Sequence, residues 1–164
     1  MNCIILMGPR QWGEDHLNFV GKNGTTSMQY SAIVSPAVIN KLEEKRGEFF
    51  ELYVYVPKRY NCAGKTDVYF GPGKIEFKGR VIDFKISQTP IPSPWETIDG
   101  PRPYDKYDSF EYEFWFKLDS LEICDLDIDR FEIFSKDGSV KCYTVTDFAR
   151  QWRGKIVFAN SPSY

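Results

Sequence analysis

The chain has 164 residues, the length of one domain, and its 42% hydrophobic, 16% aromatic and 27% charged residues indicate a globular protein rich in aromatics. This composition excludes a disordered chain and a coiled coil, and no apolar run reaches the length of a membrane span. The formal net charge of −2 argues against a protein that coats nucleic acid by charge alone. We expect one domain over residues 1–164.

The N-terminal part predicts a strand, a long loop and a helix. Residues 3–7 are apolar and predict a buried strand, and because they lack a basic region and a cleavage site we expect a cytoplasmic protein. Residues 9–31 are polar and contain three glycines, which predicts a loop with one helical turn near Asp15–Phe19. Ser35-Pro36 predicts the start of a helix that runs from about Pro36 to Lys45.

The middle of the chain predicts strands. Phe49–Val56 is rich in β-formers, and Lys74–Ile86 alternates as a long strand with a bulge at Gly79. Phe110–Leu118 alternates aromatic and charged residues and predicts another strand. The acidic residues 119–130 predict a turn.

The C-terminal part adds short elements, and the number of strands and helices in the whole chain then indicates the fold class. Phe131–Phe134 is predicted to be a short strand or a helical turn, Val140–Val145 a strand and Asp147–Trp152 a short helix. Ile156–Ala159 is a last apolar segment. About six strands and two or three short helices leave little room for βαβ crossovers. The sequence therefore predicts a small α+β barrel.

No pattern in the sequence indicates an enzyme, a metal or a cofactor. The four cysteines, at 3, 62, 124 and 142, are far apart and are expected to be buried thiols in a reducing compartment. His16 is the one histidine and is expected to be solvent-facing or structural. Asp125, Asp127 and Asp129 lack the glycine and the glutamate of a calcium loop, which favours a solvated acidic turn.

Two tryptophans lie in segments predicted to be loops. Trp12 is in the polar N-terminal segment, and Trp95 is in residues 87–109, which hold five of the ten prolines. Each is either a lid on the core or part of a recognition pocket, and two indoles would suit an extruded nucleobase. Trp115, inside a predicted strand, is expected in the core.

Basic residues near these loops could hold phosphates, or they could form a solvated face. Residues 57–85 carry seven Lys or Arg against three acids. The candidate phosphate contacts are Arg10, Lys58, Arg59, Lys65, Lys74, Lys78, Arg80, Arg150 and Arg153.

The order of segments resembles the EVE and YTH branch of the PUA-like superfamily. Residues 73–81 stand in the place of a G-x-I-x-G-x-x-x-V strand, and residues 110–119 resemble the YTH strand F-x-V-x-W-x-x-V-K-D. The resemblance implies a small PUA-like β-barrel that holds a modified base in an aromatic cage. It also implies the N-terminal reader of a McrB-type restriction protein, with an AAA+ GTPase motor as partner.

The resemblance assigns roles to particular residues. Trp12, Trp95 and Tyr30 would form the cage, and Asp15 or Asn18 would hydrogen-bond the base edge. Asp147 stands where a YTH domain tends to carry an arginine, so RNA binding in the YTH manner is not expected. The ligand implied is a flipped-out modified base, N6-methyladenine in double-stranded DNA.

Two other functions stay open at this point. One is a protein-interaction module that docks a partner on the loop 87–109, where prolines and aromatics are concentrated. The other is an enzyme of unknown type.

Overall fold

The protein is described by a computed structural model over residues 2–61, 68–95, 111–134 and 156–162. The predicted strand 140–145, the predicted helix 147–152 and two of the cysteines, Cys62 and Cys142, lie outside these residues. The elements are β1 (Cys3–Met7), α1 (Arg10–Asn23), β2 (Thr26–Tyr30), α2 (Pro36–Glu43), β3 (Phe50–Val56), β4 (Arg59–Asn61), β5 (Val68–Phe70), β6 (Lys74–Ile91), β7 (Tyr112–Leu126), a 3-10 turn (Ile128–Arg130), β8 (Glu132–Phe134) and β9 (Val157–Asn160).

Seven of these strands form one mixed sheet in the order β2-β7-β6-β3-β1-β9-β8. β1 and β3 are parallel, and the other neighbours are antiparallel. β2 and β8 lie at opposite ends of the order, so the described strands form an open sheet and are not closed into a barrel. β4 and β5 form a separate hairpin. The predicted α+β class is confirmed.

Several elements begin and end as their local chemistry predicts. β1 matches the predicted strand, and β3 follows the β-rich run. Ser35 Oγ accepts a hydrogen bond from Val38 N at 3.3 Å, which is the predicted cap at the start of α2. Gly73 has φ of 71°, in the left-handed region that favours glycine, directly before β6.

The predicted loop over 9–31 is wrong, because this segment forms α1 and β2. A Cβ on Gly13 would lie 2.3 Å from Phe77 Cε2, so this glycine lets the helix approach the sheet closely. Gly24, with φ of 82°, ends the helix. Two of the three glycines in this segment therefore belong to a packed helix and its cap.

The long strands β6 and β7 overturn two other predictions. Residues 87–91 belong to β6, so the predicted loop 87–109 begins later, and residues 96–110 lie outside the described residues. β7 runs on to Leu126, so the predicted acidic turn at 119–130 is mostly strand. The register shifts between Arg80 and Val81, one residue after the bulge predicted at Gly79.

Apolar residues pack on both faces of the sheet. The two helices cover one face, and we call the cluster there the helix-side core. Its members include Ile4, Leu6, Trp12, Met28, Leu42, Val54, Phe77, Phe84, Phe114 and Phe116. The opposite face carries a second cluster, which includes Ile5, Tyr53, Ile75, Phe131 and Ile133. Trp115 is fully buried, as predicted.

Candidate functional site

Trp12 lies in the first turn of α1 and is buried, with 5% of its surface exposed. Its indole stacks with Tyr30 at 6.3 Å between ring centroids. Tyr30 is 8% exposed, and its hydroxyl oxygen accepts a hydrogen bond from Met7 N at 3.3 Å. Burial raises the pKa of Tyr30 to about 12. The prediction of a loop at Trp12 is wrong, and both rings belong to the helix-side core.

His16 lies beside this pair and is completely buried, so it is structural and does not face solvent. Its Nε2 donates to Gln29 Oε1 at 3.2 Å, and its Nδ1 accepts from the Thr26 hydroxyl at 2.6 Å. Gln29 Oε1 is only an acceptor, which assigns the proton of the neutral ring to Nε2. Burial lowers the pKa of His16 from 6.5 to about 3, despite the opposing effect of the Gln29 hydrogen bond. The ring therefore joins α1 to β2 in its neutral form.

Trp95 lies against the other face of the sheet. Its Nε1 donates to Asp83 Oδ2 at 3.4 Å, and Lys117 Nζ is 5.8 Å from the ring centroid. Asp83 and Lys117 form a cross-strand pair, and their neighbours Phe84 and Phe116 form the next pair. Phe84 and Phe116 belong to the helix-side core. Lys117 lies between Phe116 and Leu118, which both belong to the helix-side core, so Lys117 and the Trp95 ring beneath it lie on the face away from the helices. Asp83, at an irregularity of β6, is also 3.6 Å from Arg46 Nη1.

The structure does not bring the predicted cage of Trp12, Trp95 and Tyr30 together. Trp12 and Tyr30 touch each other on the helix side, whereas Trp95 is on the opposite face and is partly exposed. Of the three rings, Trp95 is the one with ring surface open to a ligand.

Asp15 and Asn18, the predicted readers of the base edge, both lie on α1. Asp15 Oδ1 accepts a hydrogen bond from Gln11 Nε2 at 2.8 Å. Asn18 follows the buried His16 by two residues, which places it on the solvent side of the helix. Both residues are therefore remote from the face that carries Trp95.

Glu113 is a polar residue that sequence reasoning missed. Within the described structure its Oε2 is buried and has no hydrogen-bond partner, which is unusual for a carboxylate. Glu113, Trp115 and Lys117 alternate along β7 and share the face where Trp95 lies. Trp115 Nε1 donates to Ile91 O at 2.9 Å, so the chain that leads to Trp95 passes over this row. The sequence did contain a signal for Glu113: in the alternating strand 110–118 it shares one face with Trp115 and Lys117.

Four of the predicted phosphate contacts are ion-paired within the fold. Arg10 Nη2 lies 2.5 Å from Glu76, and Arg80 Nη2 lies 2.5 Å from Asp119. Hydrogen bonding to Asp119 raises the pKa of Arg80, and the same bond lowers the pKa of Asp119. The other pairs are Lys74 with Asp125 at 2.8 Å and Lys78 with Glu51 at 3.3 Å. These carboxylates already occupy the groups that a phosphate would need.

Lys58 and Arg59 differ from these four residues. Both are exposed at the start of the β4–β5 hairpin, and within the described residues neither makes an ion pair. The remaining predicted contacts, Lys65, Arg150 and Arg153, lie outside the described residues. Among the described candidates, Lys58 and Arg59 are therefore the two whose charge is not engaged in an ion pair.

Other kinds of site find no support in the described part of the chain. It contains no group of three or more His, Cys, Asp or Glu side chains that could hold a metal ion. None of its helices has the length and apolarity that a membrane span requires. A scan against protein-family models and searches of curated proteins and solved structures find no match to this chain. The geometry around Trp95 is what remains to indicate function.

Proposed function

We propose that the protein binds nucleic acid and holds one unstacked base against the indole of Trp95. The observation that carries this proposal is a partly exposed tryptophan, Trp95, whose indole is fixed by Asp83 and has the Lys117 ammonium 5.8 Å over its ring. Stacking on an exposed aromatic ring contributes about 1–3 kcal/mol per base. A hydrogen bond at Nε1 limits rotation of the ring, so less entropy is lost when a base stacks on it.

The basic groups near Trp95 suit the phosphates of the same strand. Lys117 lies over one face of the indole, and Lys85, one strand over, is exposed and pairs with Trp115 in the β6–β7 register. Lysines at the edge of a stacking surface neutralise backbone charge without selecting a sequence. The base on Trp95 would therefore carry the specificity, and the lysines would carry part of the affinity.

Glu113 is our candidate for reading the edge of the base, in place of Asp15 and Asn18. A carboxylate accepts hydrogen bonds from exocyclic amino groups, and Glu113 Oε2, which is buried without a donor in the described structure, would gain one when the side chain turns toward a bound base. Four strand residues separate Glu113 from Lys117, which is about 13 Å between Cα atoms. A nucleoside stacked on Trp95 would then lie between the two.

The modified base that we propose is N6-methyladenine in DNA, flipped out of the duplex. Its methylamino group keeps one N–H, which Glu113 would accept, and the methyl group gains about 0.8 kcal/mol by burial. In this proposal the domain is a PUA-like reader without catalytic activity, in the cytoplasm, and it directs an AAA+ GTPase motor of a restriction system to methylated DNA. The α+β class and the aromatic strand β7 support the proposal.

The test is binding of a fluorescein-labelled duplex with one N6-methyladenine, compared with the unmethylated duplex. We expect Trp95→Ala to weaken binding of the methylated duplex at least tenfold, and Trp95→Phe to weaken it less because a ring remains. A fluorescent adenine analogue at the target position should brighten as it leaves the stack. Parental binding by Trp95→Ala would contradict the proposal and favour docking of a protein partner at residues 87–109.

Glu113 allows a second test of the same site. Glu113→Ala should weaken binding of the methylated duplex several-fold without lowering the melting temperature, because a buried carboxylate without a partner destabilises the fold by about 1–3 kcal/mol. Glu122→Ala, which removes an exposed acid from the same strand, serves as the matched control. Equal binding by the Glu113 and Glu122 variants would remove Glu113 from the site.

A further inference from the structure

The β4–β5 hairpin leaves the main sheet between β3 and β6 and is held at its base. Gly71 N donates to Lys58 O at 3.2 Å, and Gly73 N donates to Val56 O at 2.9 Å. A Cβ on Gly71 would lie 2.5 Å from Val56 Cγ1, so only glycine fits there without movement. These contacts fix the direction in which the hairpin leaves the sheet.

One face of this hairpin combines available positive charge with an exposed aromatic ring. Phe70 is 75% exposed, and Arg59 is its direct cross-strand partner. Lys58, the preceding residue, is also exposed, and neither cation has a carboxylate partner among the described residues. A single exposed apolar side chain is ordinary on a protein surface. The hairpin thus presents an exposed phenyl ring next to an exposed guanidinium, and no described acid pairs with that guanidinium.

Lys74, at the base of the hairpin, makes ion pairs with two acids at the end of β7. Lys74, which pairs with Val56 in the sheet, lies 2.8 Å from Asp125 and 3.7 Å from Asp127. Hydrogen bonding to Asp125 raises the pKa of Lys74. These acids pair with Lys74, and no described carboxylate lies within ion-pair distance of Lys58 or Arg59.

We infer that the hairpin is a second nucleic-acid contact, in which Lys58 and Arg59 bind phosphates and Phe70 stacks on an unpaired base in a single-stranded stretch that flanks the duplex. The inference shares only the class of ligand with the proposed function, because it uses none of the residues around Trp95. Phosphate contacts and base stacking are both tolerant of sequence. The hairpin would accordingly strengthen binding of methylated and unmethylated ligands alike.

The distance between the two contacts sets the ligand length. Nine residues of β6 separate Lys74, at the base of the hairpin, from Asp83, beside Trp95. At roughly 3.3 Å per residue this is about 30 Å, less some shortening at the bulges. A B-form duplex covers that length in about nine base pairs. A shorter ligand could use only one of the two contacts.

The experiment measures Kd against salt for a labelled duplex of about 20 base pairs with a single-stranded overhang of about five nucleotides, which supplies unpaired bases, and for a single strand of about five nucleotides that can reach only one contact. Lys58→Ala with Arg59→Ala should reduce the slope of log Kd against log salt by about two for the long ligand, since two phosphate contacts are lost. Phe70→Ala should weaken binding roughly tenfold with the slope unchanged, because stacking releases no counterions. Ile123→Ala, which truncates an exposed apolar residue on β7, is the matched control.

The outcomes separate the hairpin from the Trp95 site. If the hairpin variants bind like the parent while Trp95→Ala does not bind, the hairpin inference is wrong and the proposed function stands. If the hairpin variants lose binding and Trp95→Ala retains it, the proposed function at Trp95 is wrong and the hairpin inference stands. If the methylated duplex loses more affinity than the unmethylated one on Phe70→Ala, the sequence-tolerant role is wrong. Failure of the parent to bind either probe overturns both.

Discussion

Trp12 and Trp95 have the same local sequence character and opposite structural roles. Both lie in polar stretches rich in glycine or proline, where an exposed loop is the natural prediction. Trp12 is in a helix with 5% of its surface exposed, between Tyr30 and His16. Trp95 is partly exposed on the opposite face, held through Asp83. The composition around a tryptophan therefore did not decide whether it was available to a ligand.

The glycines explain the difference. A Cβ on Gly8 would lie 2.3 Å from Trp12 Cε3, and one on Gly13 would contact the Phe77 ring. Both glycines allow close packing of α1 on the sheet, so they help to bury Trp12. Proline has another effect, because it restricts the unfolded chain without creating such a close contact. Glycine near a tryptophan can thus indicate burial, while proline near Trp95 is consistent with a stiff exposed segment.

The largest effect that we expect is the loss of stability when Trp12 is truncated. Trp12→Ala should lower the free energy of unfolding by about 3–5 kcal/mol, because it leaves a cavity in the helix-side core. Trp95→Ala should lower it by less than about 1 kcal/mol, since its ring is only partly buried. Denaturant unfolding of both variants measures the difference, and the reverse order would exchange the roles of the two residues.

The next effect compares two glycines of the same helix. Gly13→Ala should destabilise the protein by about 1–3 kcal/mol, because the new methyl group meets the Phe77 ring. Gly21→Ala should instead stabilise it by about 0.5–1 kcal/mol, since a Cβ there has nothing within 4 Å and alanine favours helix. Thermal melts of the two variants measure this difference. Equal shifts of their melting temperatures from that of the parent would argue against close packing of α1 on β6.

His16 predicts a pH dependence on the helix side. Its folded pKa is about 3 and its ordinary value is 6.5, so the unfolded chain binds a proton that the folded chain excludes. Stability should therefore fall by about 1 kcal/mol per pH unit as pH drops from about 6 to 4, and be unaffected by His16 above its ordinary pKa. His16→Gln should remove the uptake of about one proton on unfolding, so the slope of the free energy of unfolding against pH should become smaller by about 1 kcal/mol per pH unit. An unchanged slope would mean that His16 is charged in the folded protein.

Elements with a complete local signal could be predicted from the sequence. α2 has a serine cap and a following proline, and β1 and β3 are short apolar or β-rich runs. α1 could not be predicted, because its interior glycine is explained by contact with Phe77, which is far away in the sequence. The C-terminal half of β7 was missed because its acids pair with distant bases, as Asp119 does with Arg80. Such signals depend on partners that only the fold brings together.

The candidate site shows the same limit. Arg10 and Lys58 are indistinguishable as cations in the sequence, yet Glu76 pairs with Arg10 and no described carboxylate pairs with Lys58. Glu113 was visible as an acid on a strand, but its lack of a partner depends on the packing around it. Trp95 was singled out by its place in the proline-rich segment, and its ring is partly exposed. Residue type thus identified candidates, and ion pairing and burial selected among them.

The most direct test of the account is to observe the tryptophans while nucleic acid binds. The protein labelled with 5-fluorotryptophan should give one fluorine resonance for each of its four tryptophans, assigned by single Trp→Phe variants. On titration with the methylated duplex, we predict that the Trp95 resonance shifts strongly while that of Trp12 stays in place. A shift at Trp12 with Trp95 unmoved would contradict the account, because the ligand would then bind on the helix side.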